Sequence, residues 1–369
     1  MIIGIDGNEA NVKNRVGVNK YAYEMLWGLY KLNLKKENPN NLIVYLKNEP
    51  FPDLPKETNN FKYKVLTGGG LWILTKLTPH LFINPEKIQV LFSPSHYTLP
   101  ILPIPRICSI MDLGYLKNST HFEKNVFWQL KYWSAISIFV SKRILTISDS
   151  SKQDIVRHYP STAKKIIVTH LGYDKDRFNL NVDKDLVRRV KNKYSIVTNY
   201  ILFVSTLKPS KNVEGLISAF SLITNRYPQT TLVIAGKKGW MFEQYKKNKN
   251  IIFTDFIDEE DKTALISGAK VFVLPSFWEG FGLDVLSAFA CGVPVVVSNV
   301  GSLPEVAGKA GIYVDPGDTN SIARGLEKVL NMNEKEYNSL VKLGFEQTKK
   351  FSWEECSKKT LEAIERIND

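Results

Sequence analysis

Two loops in the second half of the chain carry residue types that could hold a diphosphate and a sugar. The first, Thr206-Leu-Lys-Pro-Ser-Lys-Asn212, follows an apolar run and leads into a helical pattern. A helix amino end exposes unpaired N–H groups and carries about half a positive charge. Lys211 adds a full charge beside it, which reads as a pyrophosphate seat or, equally, as a capped helix with surface lysines. The second loop, Pro275-Ser-Phe-Trp-Glu-Gly-Phe-Gly-Leu283, sets Glu279 directly before Gly280 and Gly282, residues that permit close backbone approach. A carboxylate beside an anion-binding turn is unfavourable without a donor to meet. Glu279 is therefore expected to accept hydrogen bonds from sugar hydroxyls, the plainer alternative being a connector with a solvated acid. A third loop, Ser298–Val306, could place its glycine and serines under a base or ribose, or simply turn the chain.

These loops need rigid elements behind them. Short apolar, β-branched runs recur at Ile2–Ile5, Leu42–Leu46, Tyr63–Leu66, Val90–Phe92, Ile107–Ile110, Ile144–Ile147 and Ile166–Val168. They continue at Ile201–Ser205, Thr231–Ala235, Ile251–Thr254, Val271–Leu274 and Pro294–Val297. Continuous rather than alternating apolarity is the mark of parallel strands covered on both faces. Helical spacing lies between them, as in Val213, Leu216, Ile217 and Phe220. The pattern predicts two doubly wound α/β domains, Rossmann-like, with ligands beyond the carboxyl ends of the strands. The charged, Asn-rich stretch Asp174–Asn199 is the expected linker, which gives domains at 1–175 and 176–350. Ser352-Trp-Glu-Glu355 reads as a capping box opening a last helix, 351–369.

Composition removes other classes. The 369 residues contain three cysteines in no metal-ligand spacing, so neither a disulfide scaffold nor a zinc ribbon is expected, and no metal is. The first loop, Asp6-Gly-Asn-Glu9, is no G-x-G-x-x-G, and no Walker loop occurs, which argues against a dehydrogenase or a P-loop enzyme. No basic leader precedes an apolar run at Met1, and no apolar stretch is long enough to span a bilayer. A cytoplasmic chain is the expectation. The net charge of +12 is uneven: residues 1–175 hold 23 Lys and Arg against 13 Asp and Glu, the rest 26 against 24. A basic first half suits an anionic partner such as a membrane inner face, or a solvated surface. No recognition motif supports nucleic acid. The apolar segment Leu71–Ile83, with Leu71, Leu74, Thr78, Leu81 and Phe82 on one helical face, could touch lipid or line an acceptor site, or pack in the core.

In combination, Phe203–Asn212, Leu232–Trp240, Val271–Leu283, Ala290–Val295 and Leu303–Gly308 resemble the family-4 retaining glycosyltransferases of the GT-B fold. The first half resembles them more loosely, through Ile3–Asp6, Gly17-Val18 with Tyr21, Phe92–Ser95 and Thr146–Ser150. The resemblance implies two domains facing across a cleft, with the last helix returning to the first domain. It implies a nucleotide-diphosphate sugar on the second domain, a glycan or lipid-linked acceptor on the first, and transfer with retention and no cofactor. By resemblance Lys211 meets the diphosphate and Glu279 the donor sugar. Gly280, Phe281, Gly282 and Leu283 lie beside them, Asp112 is catalytic, and Gly17, Thr206, Gly236 and Ser287 line the donor. Thr206, where Arg is common, is similar to a subgroup containing mannosyltransferases, which suggests GDP-mannose. Three positions depart from the pattern: Ser287 stands for a ribose-binding Glu, Met111 for a His beside Asp112, and Asp284 for a common Pro. The first two open the alternative of a catalytically weak protein that binds sugar nucleotide or a partner.

Overall fold

Most strands of the chain are apolar on both faces, so helices must cover the sheets twice. The computed structural model describes residues 1–117, 124–236 and 249–368. The chain forms two units, Met1–Gly172 with Ser352–Asp369, and Tyr173–Phe351.

In the first unit the strands are β1 (Ile2–Asp6), β2 (Asn41–Leu46), β3 (Phe61–Val65), β4 (Val90–Ser93), β5 (Arg106–Ser109), β6 (Arg143–Thr146) and β7 (Ile166–Val168). They pair in parallel in the order β3-β2-β1-β4-β5-β6-β7. The chain starts in the middle of the sheet, winds outward to β3, then crosses back to β4. The carboxyl ends of β1 and β4 therefore border the switch point where such sheets bind ligands. The helices are α1 (Val18–Leu34), α2 (Thr78–Ile83), α3 (Gly114–Lys117), α4 (Lys124–Val140) and α5 (Asp149–His158).

The second unit repeats this logic. Its helices are α6 (Lys184–Lys193), α7 (Val213–Ile223), α8 (Glu259–Ser267), α9 (Leu283–Ala290), α10 (Leu303–Ala307), α11 (Thr319–Leu330) and α12 (Glu334–Thr348). Its strands are β8 (Asn199–Val204), β9 (Thr230–Ala235), β10 (Ile251–Asp255), β11 (Val271–Leu274), β12 (Val295–Ser298) and β13 (Gly311–Val314). All are parallel, in the order β10-β9-β8-β11-β12-β13, so the switch point lies between β8 and β11. The apolar face read for α7 is buried at Val213, Leu216, Ile217 and Phe220.

The last helix, α13 (Trp353–Glu365), belongs to the first unit and packs on α1. Small residues allow the close crossing: a Cβ at Gly28 would lie 1.8 Å from Ser357 Oγ, and one at Gly172 only 2.0 Å from the Trp353 backbone nitrogen. Ser352 caps α13 by accepting from the Glu355 N–H at 3.1 Å. The two-way capping box occurs instead at Asn333 and Glu336, opening α12.

Two sequence expectations change. The stretch Asp174–Asn199 is no loose linker. It contains α6, whose end is tied to α8 by Lys193 on Asp258 and by Tyr194 on Asp261 at 2.9 Å. Nor is Leu71–Ile83 one continuous helical face. Leu71 sits at φ 56, a π-helical turn follows at Ile73–Leu77, and only then does α2 begin. The change of winding buries Trp72, Leu77 and Leu81 while leaving Leu71, Phe82 and Ile83 exposed. Among the described residues, no helix is long and apolar enough to cross a membrane.

Candidate functional site

The two loops singled out in the second half follow β8 and β11, the pair that borders the second unit's switch point. Asn212 joins them. It adopts a left-handed conformation (φ 56), which Asn tolerates better than most residues. Its side-chain amide donates to the carbonyls of Pro275 at 3.1 Å and Pro316 at 2.8 Å. The Phe277 N–H donates to the Ser210 carbonyl at 2.9 Å, completing the clamp.

Lys211 and Glu279 meet across this clamp. The ammonium donates to Glu279 Oε1 at 2.6 Å, and Ser276 Oγ donates to the same oxygen at 2.8 Å. Oε2 takes no hydrogen bond among the described residues. The side chains are 20% and 10% exposed, so the pair is largely withdrawn from water and a loss of either partner strands the other. The Glu279 backbone is fixed from below. Its carbonyl accepts from the Ser302 N–H at 3.2 Å, and Ser302 Oγ lies 3.0 Å from it and 2.9 Å from the Phe281 carbonyl. Gly301, at φ 61, passes so close that a Cβ there would lie 2.6 Å from the Glu279 carbonyl oxygen. Ser298 Oγ donates to the Ser276 carbonyl at 2.6 Å. The serines of the third loop thus brace the Glu279 turn.

Neither α7 nor α9 has a side-chain cap on its first turn. Gly282 occupies the cap position of α9 at φ 95. Both helix starts stand beside Lys211 and Glu279. Gly280 and Phe281 are buried, and Phe281 packs edge-on against Phe351 at 5.7 Å. Gly236 (φ 156) comes so near the β8 end that a Cβ would lie 2.0 Å from the Ser205 carbonyl oxygen, while Thr206 is exposed. Lys237–Trp240 of the resembling segment lie outside the described residues. Asp284, where Pro is common, is held by Lys262 at 2.6 Å. Ser287 is buried, with its hydroxyl 3.5 Å from the Leu283 carbonyl on its own helix.

Gly17 and Asp112 belong to the first unit. Gly17 takes φ 54 at the start of α1, with open space where a Cβ would stand. Asp112 Oδ1 accepts from the Gly114 N–H at 2.7 Å and so caps the short α3. Met111 is buried and offers only packing. A residue that the sequence reading passed over stands close by. His96, from the loop after β4, lies close enough to Asp112 to feel its charge and its backbone. Burial pushes its pKa down, against the opposing charge and backbone of Asp112. An imidazole thus reaches Asp112 from 16 positions upstream in the chain, a placement that no local motif reveals.

Residues 188–346 match the family model described as "Glycosyl transferases group 1". The O-antigen chain mannosyltransferase B of Escherichia coli is 36% identical over 63% of this chain and 62% of its own length. The serotype-specific mannosyltransferase WbdA of the same organism is 29% identical over 77% of this chain and 37% of its own length. This chain thus spans less than two thirds of the length of either relative. A sucrose-phosphate synthase from Thermosynechococcus elongatus superposes with a TM-score of 0.73 at 19% identity, covering 99% of this chain and 98% of that one. The family match is confined to 188–346, and the two parallel sheets give the chain the fold of that synthase, the GT-B fold.

Proposed function

We propose that the protein is a retaining glycosyltransferase that moves a hexose from a nucleotide-diphosphate sugar to a glycan or lipid-linked acceptor in cell-surface polysaccharide synthesis. The observation that carries the reading is the Lys211–Glu279 pair between two helix amino ends without side-chain caps. Cleavage of a sugar–phosphate bond builds negative charge on the leaving diphosphate and positive charge on the sugar. Fixed donors aimed at the leaving group are the main protein contribution to such a step. With no ligand, Glu279 neutralises Lys211. An arriving diphosphate takes over the ammonium, and sugar hydroxyls replace it at Glu279, so the exchange keeps both charges satisfied. Thr206, Gly236 and Gly280–Leu283 would lie along the same ligand. Ser287, turned into its helix, reaches ribose only through water. Gly17, Asp112 and His96 act from the first unit, which takes the acceptor and spans 1–175 by sequence. By the same sequence reading the donor domain is 176–350 and the returning segment 351–369.

The mannosyltransferase relatives favour a mannose donor, and the resemblance at Thr206 suggests GDP-mannose. The test is GDP release from GDP-mannose, alongside UDP release from UDP-sugars, with crude lipid-linked acceptors. Release of neither nucleotide ends the enzymatic reading. Binding without release under all conditions supports the second reading, a weak protein that only holds sugar nucleotide, for which buried Met111 and Ser287 speak.

Peripheral contact with an anionic membrane moves from Leu71–Ile83 to α4. That helix exposes Trp128, Tyr132, Ile136 and Phe139 at helical spacing, with the Lys131 ammonium 4.8 Å from the Trp128 ring centroid. Aromatic and cationic side chains on one helix face suit a lipid interface. Co-sedimentation with anionic vesicles at low salt, lost in Trp128→Ala/Phe139→Ala, checks this. Sedimentation that is unchanged in the variant excludes α4.

A further inference from the structure

The first unit contains a cavity of about 550 Å3 that no sequence motif announced. Its walls come from the loops after β1, β2, β3 and β4 and from one face of α4, so it opens at the carboxyl ends beside the β1/β4 switch point. The volume lies within the roughly 300–1,000 Å3 of small-molecule sites. Its floor is aromatic. Trp72 is buried, with its indole N–H spent on the Leu66 carbonyl, and Trp133 meets Tyr97 edge-on at 6.3 Å.

The polar lining is mixed: besides Asp6, Glu9 and Lys47 it holds Asn8, Asn48, Ser95, Tyr97 and Gln129. Asp6, 6% exposed, accepts on Oδ1 from the Asn8 side-chain amide at 2.7 Å and from the Asn8 N–H at 3.2 Å. Asn8 is itself held, since its Oδ1 accepts from the Lys47 N–H at 2.9 Å. Glu9 accepts on Oε2 from the Asn19 amide. Each carboxylate thus spends one oxygen on an amide that fixes it. The other oxygen has no protein partner among the described residues. Burial raises the pKa of both acids, and the Asp6 charge raises that of Glu9 further, while the Lys47 charge opposes both shifts. Lys47 is the one basic side chain in the lining, against two acids.

We propose that this cavity binds the uncharged, hydroxyl-rich terminal sugar of the acceptor, with Asp6 and Glu9 accepting from its hydroxyls and the Trp72 and Trp133 rings packing on its apolar face. The inference rests on the transferase reading for the word acceptor, but its physical content is independent of it. Two fixed, partly dehydrated acceptor oxygens gain from O–H donors and lose against any added negative charge. A phosphate ester brings about −1.5 to −2 charges and no donors, so this site selects against it. The positive excess of the first half, which by itself suits an anionic partner, does not extend to this cavity.

The test uses the full chain and needs no donor. Saturation-transfer NMR titrations compare methyl pyranosides of mannose, glucose and galactose with their 6-phosphates. The expected result is that at least one neutral glycoside binds at least tenfold tighter than its phosphate ester. Trp133→Ala and Glu9→Gln each weaken that binding about tenfold, the usual size for one lost contact, with thermal melting confirming the fold. Lys211→Ala leaves it unchanged. Equal or tighter binding of the phosphate esters, no binding of any neutral glycoside, or binding that survives both cavity variants overturns the proposal. Nucleotide affinity is measured in parallel. A chain that binds glycoside but no nucleotide refutes the donor reading and leaves the cavity standing, and the converse refutes the cavity alone.

Discussion

The two switch points of this molecule are built alike and charged differently. In the second unit, β8 and β11 deliver two loops that meet as a Lys–Glu pair, braced by Asn212 and Ser302 and flanked by two helix starts without an N-cap side-chain bond. In the first unit, β1 and β4 border a cavity whose acids are held by amides and whose floor is aromatic. One topology therefore supplies two crevices, and side chains alone decide what each can take. A cation beside helix amino ends suits a diphosphate. Anchored carboxylates over indole rings suit neutral hydroxyls. α4 adds a further contrast within one helix. Gln129 and Trp133 face the cavity, while Trp128 and Tyr132 stack on each other at the surface.

The comparison is most sharply tested by Lys211→Ala, expected to lower nucleotide-sugar turnover by on the order of 100-fold, the usual size for one leaving-group stabiliser. Stopped-turnover assays of nucleotide release check this, and wild-type rates would remove Lys211 from the chemistry. Next in size is Gly301→Ala. Its Cβ would press on the Glu279 carbonyl at a backbone conformation costly for alanine, and turnover is expected to fall about tenfold with a loss of about 1–3 kcal/mol in urea unfolding. His96→Ala probes the first unit. A fall in kcat of about tenfold or more, with nucleotide affinity intact, fits an imidazole acting beside Asp112 in acid–base or polar support, whereas an unchanged kcat makes it packing. Gly28→Ala is expected to touch neither crevice. It crowds Ser357 where α1 crosses α13 and should cost about 1–3 kcal/mol of stability while nucleotide binding persists.

The smallest effect concerns acid. Arg15, by its hydrogen bonds and then its charge, holds the pKa of the exposed Asp53 below the usual carboxylate range. Because folding lowers that pKa, the stabilisation is complete above the ordinary value near 4 and disappears as pH falls through the lowered one. Urea midpoints of wild type and Asp53→Asn should therefore differ slightly at neutral pH and converge in acid. A difference that grows in acid contradicts the sign.

What the sequence determined by itself was whatever depends on neighbours in the chain. Continuous apolar runs announced parallel strands, the spacing of Val213 and Phe220 announced α7, and Gly282 before Leu283 announced the turn into α9, because strand coverage, helix period and backbone freedom are local properties. Glu279 and Lys211 were legible for the same reason, each lying in a short loop with a glycine or a helix start beside it. Their pairing, across 68 positions, was not. Nor were the Asn8-held acid, the approach of His96 to Asp112, or the split of Leu71–Ile83 into a π turn and a helix. Those depend on which strand ends the parallel winding brings side by side, and only the folded sheet, by closing loops far apart in sequence, decides that.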